Sequence, residues 1–342
     1  MKRRAKNHRK KLIIIVAFAM LFLLLFESFM LMLRYERINR TNQTVIGVSF
    51  SPAQAERYGN DWKENYIAVL DELEFRHLRI PAYWDRIEPS KGVYDFSDTD
   101  WMITEAKKRN AKVTLVVGQK SIRYPECFYP SWLDTSNTKE VSENAVLMVE
   151  NVAKRYKDNP TVEAWQLENE FLLKTFGNCP SKILTHQQLQ KELKALEGVD
   201  TTRKIVLTQS DQFGFPAIGP FGNVFGFSMY RLTWDKRIGY FRYPQSGEYF
   251  WWKAAIISPL FNQSIKVHEL QAEAWGPVGN ENLEYNESLK TMNPEQFMDN
   301  INYAKQTRIK NIDLWGAEWW WHLKKSGHDE MWQTVKNLEK SS

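Results

Sequence analysis

The sequence predicts an α/β protein, a (β/α)8 (TIM) barrel preceded by one N-terminal transmembrane helix, and three observations carry this. Eight strand-like segments alternate with helix-like ones from residue 44 to 342, with no break in composition to divide them. The first is followed by Gly47-Val48-Ser49-Phe50-Ser51-Pro52, which is not the glycine-rich phosphate turn of the competing doubly wound sheet. Residues 12–33 are almost wholly apolar, interrupted only by Glu27, and at helical rise they span the roughly 30 Å hydrocarbon core of a bilayer.

The chain therefore divides into a basic tail (1–11), a signal anchor (12–33), a polar linker (34–43) and a barrel domain (44–342). Lys2, Arg3, Arg4, Lys6, Arg9, Lys10 and Lys11 precede the apolar run, against Arg34, Arg37 and Arg40 diluted by Glu36 after it. The positive-inside rule then places the N-terminus in the cytoplasm and the barrel outside it, as a single-pass membrane protein. A cleaved signal peptide has the same charged start but a shorter apolar region ending at small residues. Met30-Leu31-Met32-Leu33-Arg34 offers no such site, which favours an uncleaved anchor. The seven basic residues of the tail outweigh the whole net charge of +5 and leave the rest of the chain at −2, so nucleic acid is not an expected partner.

The strands are expected at residues 45–50, 77–80, 112–117, 162–167, 204–209, 224–229, 265–270 and 311–315. After the first, Asp61-Trp62 opens a helix whose Trp62, Tyr66, Val69, Leu70 and Leu73 recur at helical spacing. Ser97 to Asp100 reads as a capping box for the next helix, with Asn110 as its stop. Further helices are expected at 141–156, 187–196, 248–257, 294–306 and 330–338. Cys127 and Cys179 each follow a strand by a short loop; in an exported domain they either bridge those loops or remain free thiols.

Two strand ends carry the chemistry. Trp165-Gln166-Leu167-Glu168-Asn169-Glu170 closes the fourth strand, and Val267-His268-Glu269-Leu270-Gln271-Ala272-Glu273 the seventh. If the strand alternation persists, Gln166, Glu168 and Glu170 share one face, as do Glu269, Gln271 and Glu273. A barrel places its active site at the C-terminal ends of its strands. A converging carboxylate pair there is the equipment of glycoside hydrolysis, one group donating a proton and the other acting as nucleophile or base.

At these residues the chain resembles the clan A glycoside hydrolases, nearest to family 10 xylanases and the related family 5, 39 and 42 enzymes, over nearly everything from Val45 onward. The fourth-strand Trp, four residues and Glu, with Asn before that Glu, imply Glu170 as acid/base and Asn169 as a contact to the sugar 2-hydroxyl. His268-Glu269-Leu270 resembles the seventh-strand Thr-Glu-Leu pattern and implies Glu269 as nucleophile, with Glu273 as the alternative if the strand runs longer. Arg79-Ile80-Pro81-Ala82-Tyr83-Trp84 resembles the second-strand region, implying Arg79 near the nucleophile and Trp84 near substrate. Tyr230 resembles the clan's tyrosine beside the nucleophile, Leu314-Trp315-Gly316 resembles the eighth-strand segment that floors the sugar site, and Trp275 lies at another strand end. Where family 10 enzymes carry a substrate-contacting histidine after the third strand, this chain reads Gly118-Gln119-Lys120.

The expected function is a retaining hydrolase of O-glycosidic bonds, β-linked, in a poly- or oligosaccharide. A non-catalytic carbohydrate-binding barrel and an envelope-glycan transglycosylase are the alternatives. No cofactor and no metal is expected: no second histidine follows His268 at the spacing of a zincin, and no Gly-x-Ser-x-Gly elbow is present. His268 itself reads as a packed or hydrogen-bonded strand residue. Fourteen tryptophans, including Trp251-Trp252 and Trp319-Trp320-Trp321, offer stacking faces for sugars, although most aromatic residues pack in cores.

Overall fold

The computed structural model describes residues 2–39, 43–174, 177–180, 182–210 and 222–340. Its centre is a closed barrel of parallel strands: β1 (Val45–Ser49), β2 (His77–Pro81), β3 (Lys112–Val117), β4 (Val162–Leu167), β5 (Lys204–Gln209) and β6 (Val224–Met229). A small antiparallel hairpin, β7 (Leu232–Asp235) and β8 (Gly239–Arg242), intervenes before β9 (Ser264–Gln271) and β10 (Asn311–Trp315) complete the ring. Closure runs from Val45 opposite Asn311 to Ser49 opposite Trp315. Because parallel barrel strands are covered on both faces, they read as near-continuous apolar runs such as Lys112–Val117, of which only the first residue is exposed.

All eight expected strands are present within a residue or so of their expected ends. The hairpin has no counterpart among the expected strands; its turn, residues 236–238, leads into Gly239, whose φ of 73° favours glycine. The helices run Thr138–Tyr156, His186–Val199, Gly247–Phe261, Pro294–Lys305 and Glu330–Lys336, each within a turn or so of expectation. The Ser97 capping box is not formed. Ser97 is already the first helical residue, and its N–H donates to Asp95 Oδ1 at 2.9 Å. Asp61 does cap its helix, accepting from Lys63 N at 2.8 Å.

One helix, Lys2–Asn39, contains the span Arg9–Glu36, long and apolar enough to cross a membrane, with a mean hydropathy of 2.7. It continues into the segment read as a linker. Tyr35 is buried and donates to the carbonyl of Thr307 at 3.2 Å, and Glu36 pairs with Arg308. Thr307 and Arg308 precede β10, so the helix meets the barrel at the N-terminal end of its strands, opposite the catalytic mouth.

Candidate active site

The C-terminal ends of the strands surround a cleft of about 720 Å³. Arg79, fully buried in the middle of β2, organises its floor. It donates from Nε to Gln166 Oε1 at 2.7 Å, from Nη2 to Asn169 Oδ1 at 2.5 Å, and from Nη1 to Ser49 Oγ and Glu269 Oε1, both at 3.1 Å. A guanidinium with no access to water is held here because every face of its planar fork has an acceptor. With the Asn169 carbonyl oxygen occupied, its amide N–H groups remain to offer a sugar hydroxyl.

Glu269 lies on β9, within the strand, and its other oxygen accepts from the Tyr230 hydroxyl at 2.9 Å. Glu170 lies beyond β4, which ends at Leu167. Glu168 and Glu170 both adopt positive φ, 61° and 46°, so strand alternation stops before them and they do not share a face as the strand reading supposed. This left-handed backbone is uncommon outside glycine and concentrates where geometry is functional. It turns the Glu168 carboxylate back under the β3 loop, where it accepts from Gln119 N at 2.8 Å and Lys120 N at 2.7 Å. Gly118, at φ 140°, leaves the space; a Cβ there would lie 2.4 Å from the Glu168 carboxyl carbon.

Glu170 is left facing Glu269. One oxygen of each carboxylate and a ring nitrogen of His268 lie within 4.8 Å of one another. His268 Nε2 is 3.3 Å from Glu170 Oε1 and 3.6 Å from Glu269 Oε1. His268 is therefore not a bystander of the strand but lies between the two carboxylates. Room for its ring comes from Gly226 on β6, where a Cβ would be 2.9 Å from Nδ1. Burial lowers the imidazole to about 3, so it is neutral at working pH. Burial also raises the Glu170 carboxyl, opposed by Lys120 and Arg79 and by the hydroxyls of Ser228 and Ser210. His268 with the two carboxylates is also the donor set among the described residues that a divalent cation would use, although Arg79 already supplies positive charge to Glu269.

Lys120, in the Gly118-Gln119-Lys120 segment read where family 10 enzymes carry a histidine, is fully buried. It donates to the carbonyls of Glu170 and Leu173 at 2.9 and 2.8 Å and pairs with Glu126 at 3.0 Å. Burial, tempered by Lys120, pushes Glu126 up to about 7. Behind Glu168 lies Glu192, a second fully buried carboxyl on the His186–Val199 helix, which accepts from Gln119 Nε2 at 3.0 Å and Gln188 Nε2 at 2.7 Å. Burial, and next the charge of Glu192, raises Glu168 well above the usual carboxylate range.

Glu273 is not beside Glu170 and Glu269. It pairs with Arg123 at 2.5 Å, and burial raises its carboxyl to about 7. Trp315, Trp275 and Tyr230 line the cleft, with Trp275 edge-on to Tyr230 at 5.3 Å. Trp84 does not. It opens a short helix after β2, is fully buried and donates to Glu88 Oε2 at 2.7 Å, so the turn carries its ring under the site into the core. Trp319, Trp320 and Trp321 are likewise buried. Cys127 and Cys179 are joined in a disulfide, Cα to Cα 5.3 Å, that ties the segment after β3 to the segment after β4.

The profile described as Cellulase (glycosyl hydrolase family 5) matches residues 38–259. The chain belongs to glycosyl hydrolase family 5. Membership places the family 5 barrel beneath the Glu170 half of the site, while β9 and Glu269 lie beyond the matched residues. Among curated proteins, the family 5 chain is 25% identical over 145 residues to the β-galactosidase BgaA of Clostridium cellulovorans, covering 36% of this chain and 21% of that protein. The β-galactosidase Bga of Halorubrum lacusprofundi is 24% identical over 152 residues, 37% of this chain and 20% of that protein. The chain thus spans about a fifth of the length of the curated relatives it matches. Among solved structures, xylanase 10B of Thermotoga petrophila in complex with xylobiose superposes with a TM-score of 0.54 at 15% identity, covering 82% of this chain and 84% of that one. A family 5 subfamily 18 protein of Streptomyces cattleya in complex with Manβ1-4GlcNAc gives 0.55 at 15% identity, covering 80% and 71%. At these identities the superpositions show the shared barrel.

Proposed function

We propose that this protein is a retaining glycoside hydrolase that cleaves β-linked sugars in an oligo- or polysaccharide by double displacement, with its barrel held outside the cytoplasm by the N-terminal helix. The observation that carries the reading is the approach of Glu170 and Glu269 to within 4.8 Å, oxygen to oxygen. So close an approach favours the short carboxyl separation of retaining enzymes, about 5–5.5 Å, over the about 6.5–9.5 Å at which an inverting pair holds its water. The β linkage is supported by the similarity to β-galactosidases and to the barrel solved with Manβ1-4GlcNAc.

In this mechanism Glu269 attacks the anomeric carbon, its oxygens aimed by Arg79 and Tyr230, while the burial-raised Glu170 protonates the departing oxygen. Glu170 then takes a proton from the water that attacks the glycosyl-enzyme, which releases the sugar with retained configuration. The neutral His268 stands beside the two carboxylates without competing for their proton. Arg123 holds Glu273, which is why Glu269 is the nucleophile in this reading.

The test uses the full-length protein in detergent micelles on a panel of aryl β-glycosides and β-linked oligosaccharides. Glu170→Ala and Glu269→Ala are expected to abolish turnover, with azide restoring Glu170→Ala on activated aryl glycosides. Turnover that survives Glu269→Ala, or glycan binding without turnover in the wild type, contradicts the proposal.

A further inference from the structure

We propose that the cleft is closed at the end that receives the glycosyl unit, so that the enzyme removes single sugars from non-reducing chain ends, and that Arg123 and Glu273 read the hydroxyls of the terminal sugar. This rests on the glycosidase reading above and deepens it.

The direction of the substrate follows from the acid/base. Glu170 faces Ser210 and Ser228, at the ends of β5 and β6, on the side where Trp234 and Phe241 of the hairpin line the cleft. The proton donor must reach the bridging oxygen, so the leaving group departs on that side. The sugar attacked by Glu269 then lies toward β10 and β1, against Trp315.

That side is walled. Arg123, from the segment after β3, crosses the mouth and pairs at 2.5 Å with both Glu273 after β9 and Glu318 after β10. Its guanidinium covers the Trp315 ring at 3.9 Å from the centroid. Glu318 in turn accepts from Ser51 N, just after β1, at 2.5 Å. Segments following four strands therefore meet in one largely buried knot. Outside it, Arg57 after β1 pairs with Glu281 after β9 and stands 4.9 Å over the Tyr124 ring, a second strap across the same end. A polysaccharide threading through the cleft would have to break both.

The wall is also unfinished in a way that points to a ligand. Arg123 Nε makes no hydrogen bond, while the Glu273 carboxylate is met by Arg123 and by the Trp315 side chain; both residues are more than nine-tenths buried and both line the cleft. An unmet buried donor is costly unless a partner arrives. A sugar hydroxyl accepts from Arg123 and donates to the Glu273 carboxylate, whose oxygens have lone pairs to share. This is the recognition expected for the last sugar of a neutral chain, where the next glycosidic link is absent and its place is taken by a free hydroxyl.

The test gives the full-length protein in detergent micelles a set of β-linked tetrasaccharides of glucose, mannose, galactose and xylose, plain and with only the non-reducing terminal sugar methylated. The expected result is monosaccharide as first product, with methylation lowering kcat/KM by about 100-fold or more, as when a site built for hydroxyls meets an analogue that cannot donate. Glu273→Gln is expected to raise KM for the plain substrate by about 10- to 100-fold while kcat changes little, the signature of lost ground-state binding. First products of mixed length, or equal cleavage of plain and methylated substrates, would overturn the proposal and leave the glycosidase reading standing. Failure to cleave any plain substrate refutes the glycosidase reading, and the proposal falls with it.

Discussion

Tyr230 donates its phenolic hydrogen to Glu269 Oε2 at 2.9 Å, on the oxygen not used by Arg79. The carboxylate is thus gripped from two sides, by one donor within β2 and one just after β6. Replacing Tyr230 with Phe keeps the ring and its contact to Trp275 but frees one oxygen of the nucleophile. A hydrogen bond to a charged group is worth about 1.5–3 kcal/mol. Tyr230→Phe should therefore lower kcat by about 10- to 100-fold without lowering the melting temperature. Steady-state kinetics beside a melting curve decides; unchanged kcat would mean that the tyrosine only packs.

The pH profile should report Glu170. Burial raises its carboxyl, and Lys120 is the largest opposing influence. General acid catalysis needs this group protonated, so activity is lost as pH rises through its pKa, above the range of an ordinary glutamate at about 4.3. Removing the ammonium removes what favours the ionised form. Lys120→Met should shift the alkaline limb of kcat/KM to higher pH, and a limb that stays in place would show that another group sets it.

The buried Glu168 and Glu192 carboxyls should make stability fall with pH. Glu168 is raised well above the usual range, first by burial and then by Glu192. A group raised in the folded state contributes stability that is complete below its unfolded pKa, about 4.3, and is lost as pH rises through the folded value. Glu192→Gln removes the like charge and can still accept from Gln119 and Gln188. The drop in melting temperature between pH 5 and pH 8 should be smaller in this variant than in the wild type. An identical drop would place the titration elsewhere.

The disulfide should support the site as well as the fold. Cys127–Cys179 closes a loop with a sequence separation of 52 and tethers the segment carrying Arg123 and Glu126 to the one that follows Glu170. Substituting both cysteines with Ala should cost about 2–4 kcal/mol of stability and raise KM. A variant that melts as the wild type does would show that the loops are held by the Lys120 and Arg123 contacts alone.

The barrel was legible because each buried parallel strand is a short apolar run bounded by polar residues, and Val45–Ser49 through Asn311–Trp315 repeat that pattern eight times. Glu170, Glu269, Asn169, Arg79 and Tyr230 were legible for a related reason, since each sits at or near a strand end. What was not legible depends on backbone that leaves the strand period. Trp84 follows Pro81 closely enough to look like a strand-end residue, yet a four-residue helix buries it. Glu168 was placed on a face with Glu170, but both residues have positive φ. Arg123 and Glu318 lie 195 residues apart and meet only because loops cross the mouth, a relation that no local pattern carries. His268 was visible beside Glu269, but its neutrality and its place between two carboxylates depend on Gly226 in a neighbouring strand.

Covalent trapping identifies the nucleophile directly. The full-length protein is incubated with activated 2-deoxy-2-fluoro-β-glycosides of glucose, mannose, galactose and xylose, digested, and the labelled peptide sequenced by mass spectrometry. A single glycosyl adduct is expected on Glu269, formed more slowly in Tyr230→Phe and absent in Glu269→Gln. A label on Glu273, or turnover of the parent glycosides through an inverted product with no adduct from any of the four, would contradict that assignment.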